Sequence, residues 1–179
     1  MYIWIGCKLP EEFEKEIRAH CLALNAQIGL DTVAFLLPQH ISLKISFQTD
    51  RETEILEELT RFACEQMPFK VQIRAVEQAG NILWLSVVEN AHLRQLHDAL
   101  DARLEHRFGV PQHAFDKCFL FHSTLFMDQD TKKLAQMYAM LEDYPVAREL
   151  QVNTFLLGAS ETGRPGTYRI VREIPLVQA

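Results

Sequence analysis

Seven short stretches rich in apolar residues are predicted to be strands, and one of them, residues 40–47, alternates apolar and polar positions with a period of two. Residues that alternate in this way point to opposite faces of a β-strand, so that strand is predicted to have one buried face. The predicted strands cover residues 2–9, 40–47, 69–76, 82–88, 119–127, 150–157 and 167–176. Hairpin-length loops at 77–81 and 158–166 join two pairs of them, which favours antiparallel pairing.

Between the strands, apolar residues recur every three or four positions, which predicts four amphipathic helices. Their buried stripes are Phe13, Ile17, Cys21, Leu24 and Ile28; Ile55, Leu56, Leu59 and Phe62; Leu93, Leu96, Leu100 and Leu104; and Leu134, Met137 and Leu141. Residues suited to begin these helices are Pro10, Asp50, Asn90 and Asp130, and residues suited to end the first and third are Gly29 and Gly109.

The order of these elements predicts an α+β fold in one domain spanning residues 1–179. Two of the strands are each followed by an acid-capped helix and then by a pair of strands. This repetition predicts a bilobal arrangement, with two similar antiparallel sheets flanked by helices around a central groove. The third helix is expected to join the two lobes.

The two strands that begin this repetition carry the same short motif. It reads His40-Ile41-Ser42-Leu43 in the first strand and His122-Ser123-Thr124-Leu125 in the second. Alternation places each histidine on one face with the hydroxyl residue two positions later, and it adds Lys44 and Ser46 to the first of these faces. Lobes related by a pseudo-twofold axis would therefore bring two imidazoles and two hydroxyls together across one groove.

Two imidazoles and two hydroxyls suit the cleavage of a phosphodiester bond. One group must take a proton from the nucleophile and another must give one to the leaving oxygen, and histidine, with a pKa of about 6.5, does either near neutral pH. Hydroxyls can donate hydrogen bonds to the phosphate oxygens as charge develops on them. Such a site is expected to need no metal and no cofactor.

The net charge, the cysteines and the apolar runs of the chain limit which partners and which cell compartment are expected. The formal net charge of −6 argues against binding of long duplex nucleic acid, which depends on many basic contacts to phosphate. The four cysteines are far apart in the sequence and are expected to be reduced in a cytoplasmic protein. No apolar run is long enough to span a membrane. We therefore expect a cytoplasmic monomer that acts on a nucleotide or on the phosphate at an RNA end.

The paired motifs resemble those that define the 2H phosphoesterase superfamily, in particular its bacterial RNA 2′,3′-cyclic phosphodiesterases, also called 2′-5′ RNA ligases. The resemblance extends to NILWLSVVENAHLRQLHDAL at 81–100 and to GTYRIVREIPL at 166–176, and it covers nearly the whole chain. It implies a bilobal fold and metal-independent opening of a 2′,3′-cyclic phosphate to a 2′-phosphate. By carry-over, His40 protonates the departing 3′ oxygen, His122 activates water, and Ser42 and Thr124 hold the phosphate.

The chain departs from this family at three places. Relatives often carry an arginine shortly after the second motif, where this chain has Phe126 and Met127, and another before the central strand, where it has Asn81 and Ile82. Position 42 is more often threonine than serine. The site is therefore expected to carry less positive charge than is usual, and Lys44 is either a compensating cation or an ordinary solvated lysine.

Several other residues allow both a functional and an ordinary structural interpretation. Phe121 and Trp84 could stack on a base or lie in the core, Arg164 could close a loop over a ligand or sit in an ordinary turn, and Tyr168 borders the groove by family analogy. The remaining candidates for a metal site, expected instead to be surface histidines, are His92, His97, His106 and His113. The alternatives for function are 2′-5′ RNA ligation, cleavage of 2′-5′ oligonucleotides, and a nucleotide-binding module without turnover.

Overall fold

The computed structural model describes residues 1–177, which form eight strands and four α-helices; the predicted domain runs to residue 179, and residues 178–179 lie outside the described part. The strands are β1 Tyr2–Lys8, β2 His40–Gln48, β3 Phe69–Ala79, β4 Ile82–Val87, β5 His122–Met127, β6 Arg148–Val152, β7 Thr154–Ser160 and β8 Arg169–Pro175. The helices are α1 Glu11–Ile28, α2 Glu52–Ala63, α3 Ala91–Phe108 and α4 Thr131–Leu141, and two 3₁₀ turns cover Val33–Leu36 and Asp116–Cys118.

The strands form two four-stranded antiparallel sheets, with the orders β2-β1-β7-β8 and β5-β4-β3-β6. This arrangement confirms the predicted α+β class and the two sheets. The units β1-α1-β2-α2 and β4-α3-β5-α4 correspond, and each places its histidine strand at the edge of a sheet. The edge strands β2 and β5 lie next to each other, so the two motifs meet where the sheets meet.

The connections between the lobes differ from the prediction in two ways. Helix α3 does not join the lobes, because it links β4 and β5 of the same sheet. Instead, α2 carries the chain from the first sheet to the second, and the step from β6 to β7 brings it back. The strand predicted at 150–157 is therefore two strands of different sheets, which meet at Asn153 between Val152 and Thr154.

The helix ends and buried stripes largely follow the prediction. The side chains of Asn90 and Asp130 accept backbone N–H groups in the first turns of α3 and α4, and Gly29 and Gly109 adopt the left-handed conformation that ends α1 and α3. Asp50 is not a cap, because α2 begins after Arg51 and the hydroxyl of Thr49 accepts the Arg51 N–H. The leucines of the α3 stripe and the apolar residues of the α4 stripe are buried.

The helices pack on the sheets and on one another, and α3 also contacts the edge strand β2. Helix α4 packs on β3 and β4 and against α1, while α2 packs on β8 and against α3. Within residues 1–177, none of the helices is both long and apolar enough to cross a membrane.

Candidate active site

The two motif histidines stand at the first positions of β2 and β5 and are held in the same way. The Nδ1 atom of His40 lies 2.7 Å from the carbonyl oxygen of Pro38, and the Nδ1 atom of His122 lies 2.7 Å from that of Leu120. A carbonyl oxygen can only accept, so each Nδ1 carries the proton. The neutral ring then has its lone pair on Nε2, which is the atom left free for proton transfer.

A tryptophan ring packs against each histidine, stacked on His40 and tilted against His122. The rings of Trp4 and His40 are 4.2 Å apart between centroids and nearly parallel, and those of Trp84 and His122 are 4.9 Å apart. The sequence analysis did not identify Trp4 as a site residue, and for Trp84 it left open whether the ring stacks on a base or lies in the core. The signal was present as a second repeat, Ile3-Trp4-Ile5-Gly6 and Leu83-Trp84-Leu85-Ser86, in which each copy precedes a helix and a histidine strand.

Two glycines give the Trp4 indole its place on the first sheet. Trp4 pairs with Gly158 of β7, and a Cβ at position 158 would overlap the indole ring. A Cβ at Gly6 would lie 3.1 Å from the Trp4 ring and 3.2 Å from the His40 ring. Contacts this short are rarely tolerated, so glycine at both positions lets the indole lie flat and reach the imidazole.

A cavity of about 250 Å³ opens beside His40 and runs between the two sheets. Its polar lining includes Ser42 and Thr124, so the structure brings together the hydroxyls of both motifs and the first histidine. The other lining residues are Trp4, Val33, Ala34, Leu37, Gln39, Ile45, Ser46, Met127, Gly163, Pro165, Gly166 and Tyr168. His122 is not among the lining residues, but it is close enough to His40 for its charge to lower the pKa of that ring.

Lys44 does not lie on the groove face, so the prediction that it shares the face of His40 and Ser42 is wrong. The pairing of β2 with β1 runs from Ser42 opposite Gly6 to Lys44 opposite Ile5, which leaves Leu43 as an extra residue. A bulge of this kind breaks the alternation of side chains. Lys44 is consequently buried, with 1% of its surface exposed.

The ammonium group of Lys44 joins a buried cluster behind β2. It donates to Asp101 of α3 and, at 2.7 Å, to Asp116 of the loop that leads to β5. His97 lies beside this cluster, with its Nε2 3.7 Å from Asp116, and is itself buried although a surface position was expected. Lys44 is thus neutralised by two carboxylates and is not a free cation for the groove.

The other predicted substrate-binding residues have different positions. Phe121 is 5% exposed and packs against Phe119, His97 and the guanidinium of Arg94, so its ring lies in the core and not in the groove. Tyr168 lines the cavity as expected. Its hydroxyl hydrogen-bonds to Ser46 and donates to the carbonyl of Gly163, which ties the 161–168 loop to β2.

The two residues that stand where relatives often carry an arginine after the second motif have different surroundings. Phe126 is fully buried against Phe35, while Met127 lines the cavity. Arg164 is exposed in the loop beside the cavity and is not among its lining residues. Across residues 1–177, His, Cys, Asp and Glu side chains do not gather in groups of three or more suited to a metal ion.

Burial shifts both imidazoles toward the neutral form. Loss of hydration lowers the pKa of His40 to about 4, although the hydrogen bond to Pro38 acts in the opposite direction and His122 lowers it further. Burial also lowers the pKa of His122, against the hydrogen bond to Leu120. His40 is the more enclosed of the two rings and has the larger shift.

A sequence model described as the 2′-5′ RNA ligase superfamily matches residues 10–164. The chain belongs to this superfamily, whose members are 2H phosphoesterases. Among curated relatives, it is 31% identical over 127 residues to "Putative phosphoesterase GK0864" of Geobacillus kaustophilus, covering 68% of this chain and 70% of that protein. It is 40% identical over 112 residues to OB1230 of Oceanobacillus iheyensis, covering 60% of this chain and 62% of that protein.

Solved structures of the same fold cover almost the whole chain. TT0787 of Thermus thermophilus superposes with a TM-score of 0.64 at 20% identity, covering 98% of both chains. LigT of E. coli complexed with 3′-AMP gives 0.60 at 20% identity, again covering 98% of both. At this level of identity the likeness establishes the fold.

Proposed function

We propose that this phosphoesterase hydrolyses 2′,3′-cyclic phosphates, on nucleotides or RNA ends, to 2′-phosphates without a metal ion. The observation that carries the proposal is the twinned arrangement of His40 and His122. Each ring is fixed through Nδ1, backed by a tryptophan, and set beside a hydroxyl that lines one shared cavity. LigT, which has the same fold, has been crystallised with 3′-AMP and with ATP, and this supports a nucleotide as the ligand.

In the proposed reaction, one imidazole takes a proton from water as the water oxygen forms a bond to phosphorus. The bond from phosphorus to the 3′ oxygen breaks, and the second imidazole gives that oxygen a proton. The negative charge of the phosphate is spread over two non-bridging oxygens, which the hydroxyls of Ser42 and Thr124 can reach as donors. Ligation through a 2′-5′ bond uses the same groups in the same direction, with a ribose 5′ hydroxyl in place of water as the nucleophile.

The electrostatics favour His40 as the base and His122 as the acid. A base must be neutral to accept a proton, and a pKa of about 4 leaves the Nε2 of His40 unprotonated at neutral pH. His122 is less enclosed and its pKa is lowered less, so it holds a proton more readily when an anionic phosphate is bound. This is the reverse of the assignment carried over from the family resemblance.

The function is tested by incubating the purified protein with the four nucleoside 2′,3′-cyclic phosphates in excess EDTA. The expected result is conversion to nucleoside 2′-monophosphates, identified by phosphorus NMR. Formation of 3′-monophosphates, or activity that appears only after Zn²⁺ or Mn²⁺ is added, would contradict the proposal. Binding of these nucleotides without turnover would instead favour a nucleotide-binding module.

The roles of the two histidines are tested with a leaving group that needs no proton. A 3′-deoxynucleoside 2′-(p-nitrophenyl phosphate) keeps the phosphate on the 2′ oxygen and carries p-nitrophenolate in place of the departing 3′ oxygen. Attack of water releases p-nitrophenolate, which departs unprotonated near neutral pH, so loss of the acid should matter little for this substrate. The His122→Ala variant should recover much of its rate on this substrate, whereas His40→Ala should stay slow on both. Recovery by His40→Ala and not by His122→Ala would instead support the roles that the family resemblance implies, with His40 as the acid and His122 as the base.

A further inference from the structure

Gln39 occupies a buried position between the two motifs. It immediately precedes His40, is 2% exposed, and lines the cavity together with Ser42 and Thr124. Its backbone carbonyl accepts the N–H of Leu9 at 2.9 Å, which fixes the main chain at the entrance to β2. The sequence gives no hint of this role, because a lone glutamine before a strand has many uses.

The side chain of Gln39 is oriented by the other motif. The hydroxyl of Ser123, which follows His122, donates to the Oε1 atom of Gln39 at 2.8 Å, and both residues are buried. A carboxamide has one oxygen and one NH₂ group, so this hydrogen bond fixes which end of the amide faces β5. The NH₂ group then points away from Ser123.

That NH₂ group has no hydrogen-bond partner among residues 1–177. The side-chain atoms in that part of the chain that are both sealed from solvent and unpaired are Trp4 Nε1, His97 Nε2 and Asp116 Oδ1. Gln39 Nε2 is not among these sealed atoms, and Gln39 is a lining residue of the cavity. Two amide N–H donors are therefore available to a ligand at a point between the two histidine strands.

The cavity needs such donors because its lining contains no Lys, Arg, Asp or Glu within the described residues. Lys44, which the sequence offered as a cation for the groove, is buried against Asp101 and Asp116. An anionic phosphate bound here must be met by neutral donors and by an imidazolium. We propose that Gln39 is a substrate-binding residue whose carboxamide, held by Ser123, donates to a non-bridging oxygen of the phosphate.

This inference rests on the proposed function and is tested with four variants. Gln39→Leu removes the donors at similar size, and Gln39→Glu replaces them with a carboxylate that repels the phosphate. Loss of a donor to developing charge costs about 10²-fold, so kcat/KM should fall by about that factor in Gln39→Leu and further in Gln39→Glu. Ser123→Ala keeps the Gln39 amide and removes only the hydrogen bond that orients it, so kcat/KM should fall by less than in Gln39→Leu. The matched control Gln48→Leu, at the exposed far end of β2, should match the wild type.

A second readout needs no turnover. In a ¹H–¹⁵N NMR spectrum, the side-chain NH₂ signals of Gln39, assigned by their loss in Gln39→Leu, should shift when inorganic phosphate is added to the wild type. The inference would be overturned if Gln39→Leu turned over cyclic phosphates as fast as the wild type and the Gln39 signals did not shift with phosphate. The proposed function would then remain intact. If the wild type shows no turnover, the proposed function fails, and the shift of the Gln39 signals alone decides whether Gln39 binds phosphate.

Discussion

At the scale of single residues, the imidazoles and the hydroxyls make unequal contributions. A histidine that transfers a proton is worth about 10²–10⁴-fold, whereas a hydroxyl that donates one hydrogen bond can be partly replaced by water. Ser42→Ala and Thr124→Ala should therefore lower kcat on a cyclic phosphate while leaving measurable turnover. Steady-state kinetics of the two variants check this, with circular dichroism to confirm folding. Complete loss of activity in either folded variant would show that the hydroxyl does more than donate to the phosphate.

The position of the Trp4 indole against His40 requires that residue 158 has no Cβ atom. Because a Cβ there would overlap the indole, Gly158→Ala should push Trp4 away from His40 and lower both activity and thermal stability. Gly80→Ala is the control, since Gly80 lies in an exposed turn and an added Cβ meets nothing within 4 Å. It should strain the turn, at φ +56°, without changing turnover. Equal activity in Gly158→Ala and the wild type would show that the position of the Trp4 indole does not affect turnover.

The shifted pKa values of the two histidines predict where activity is found on the pH scale. The base must be neutral, so activity should be lost as pH falls through the pKa of His40 at about 4. The acid must be protonated, so activity should be lost as pH rises through the lowered pKa of His122. The profile of kcat/KM should be a bell with its optimum below about 6.5, the ordinary value for histidine. A plateau that extends through pH 8 would contradict these shifts.

At the scale of the elements, the bulges decide which sequence predictions are right. Alternation places His40 with Ser42 and His122 with Thr124 correctly, because both pairs precede the bulge of their strand. After these pairs each strand has one extra residue, which is Leu43 in β2. In β5 the extra residue is Leu125, because Thr124 lies opposite Trp84 and Phe126 opposite Leu83. Lys44 and Phe126 therefore occupy equivalent buried positions. A period-two pattern cannot predict this, because the extra residue is fixed by the neighbouring strand.

Tertiary context decides the other elements that sequence reasoning placed wrongly. The stretch at 150–157 is continuously strand-like, and only the geometry of two separate sheets divides it at Asn153. The base-stacking role considered for Phe121 is ruled out by its neighbours Phe119, His97 and Arg94, which enclose it in the core, on the face opposite His122 that strand alternation predicts for it. The helix caps at Asn90 and Asp130 were predictable because capping depends on a few adjacent residues.

The cluster around Lys44 should contribute to stability as a unit. Lys44→Ala leaves Asp101 and Asp116 buried without their cation, which typically costs about 3–5 kcal/mol of the free energy of unfolding. Combining Lys44→Met with Asp101→Asn and Asp116→Asn removes all three charges and should be less destabilising than Lys44→Ala alone. Urea denaturation measures the difference, and Lys132→Ala on the exposed face of α4 serves as the control. A Lys44→Ala variant as stable as the control would show that the cluster is energetically neutral.

At the scale of the whole molecule, the interleaved chain path holds the two histidine strands together. The first unit ends in α2, whose following strands belong to the second sheet, and the last two strands return to the first. The hydrogen bond from Ser123 to Gln39 adds a direct link between the motifs. The two chain crossings, the contact of β2 with β5 and this hydrogen bond therefore join the lobes, and a single cavity can present groups from both lobes to one phosphate.

The most direct test of a single shared phosphate is the turnover of His40→Ala, His122→Ala and the double variant on the best 2′,3′-cyclic phosphate. Each single variant should lose at least about 10²-fold in kcat, and the double variant should be little slower than the slower single one, because groups that act as a unit have non-additive effects. Circular dichroism and melting curves should match the wild type, since both side chains are only half-buried and lie outside the hydrophobic core. Near-normal turnover by either folded single variant would contradict the account.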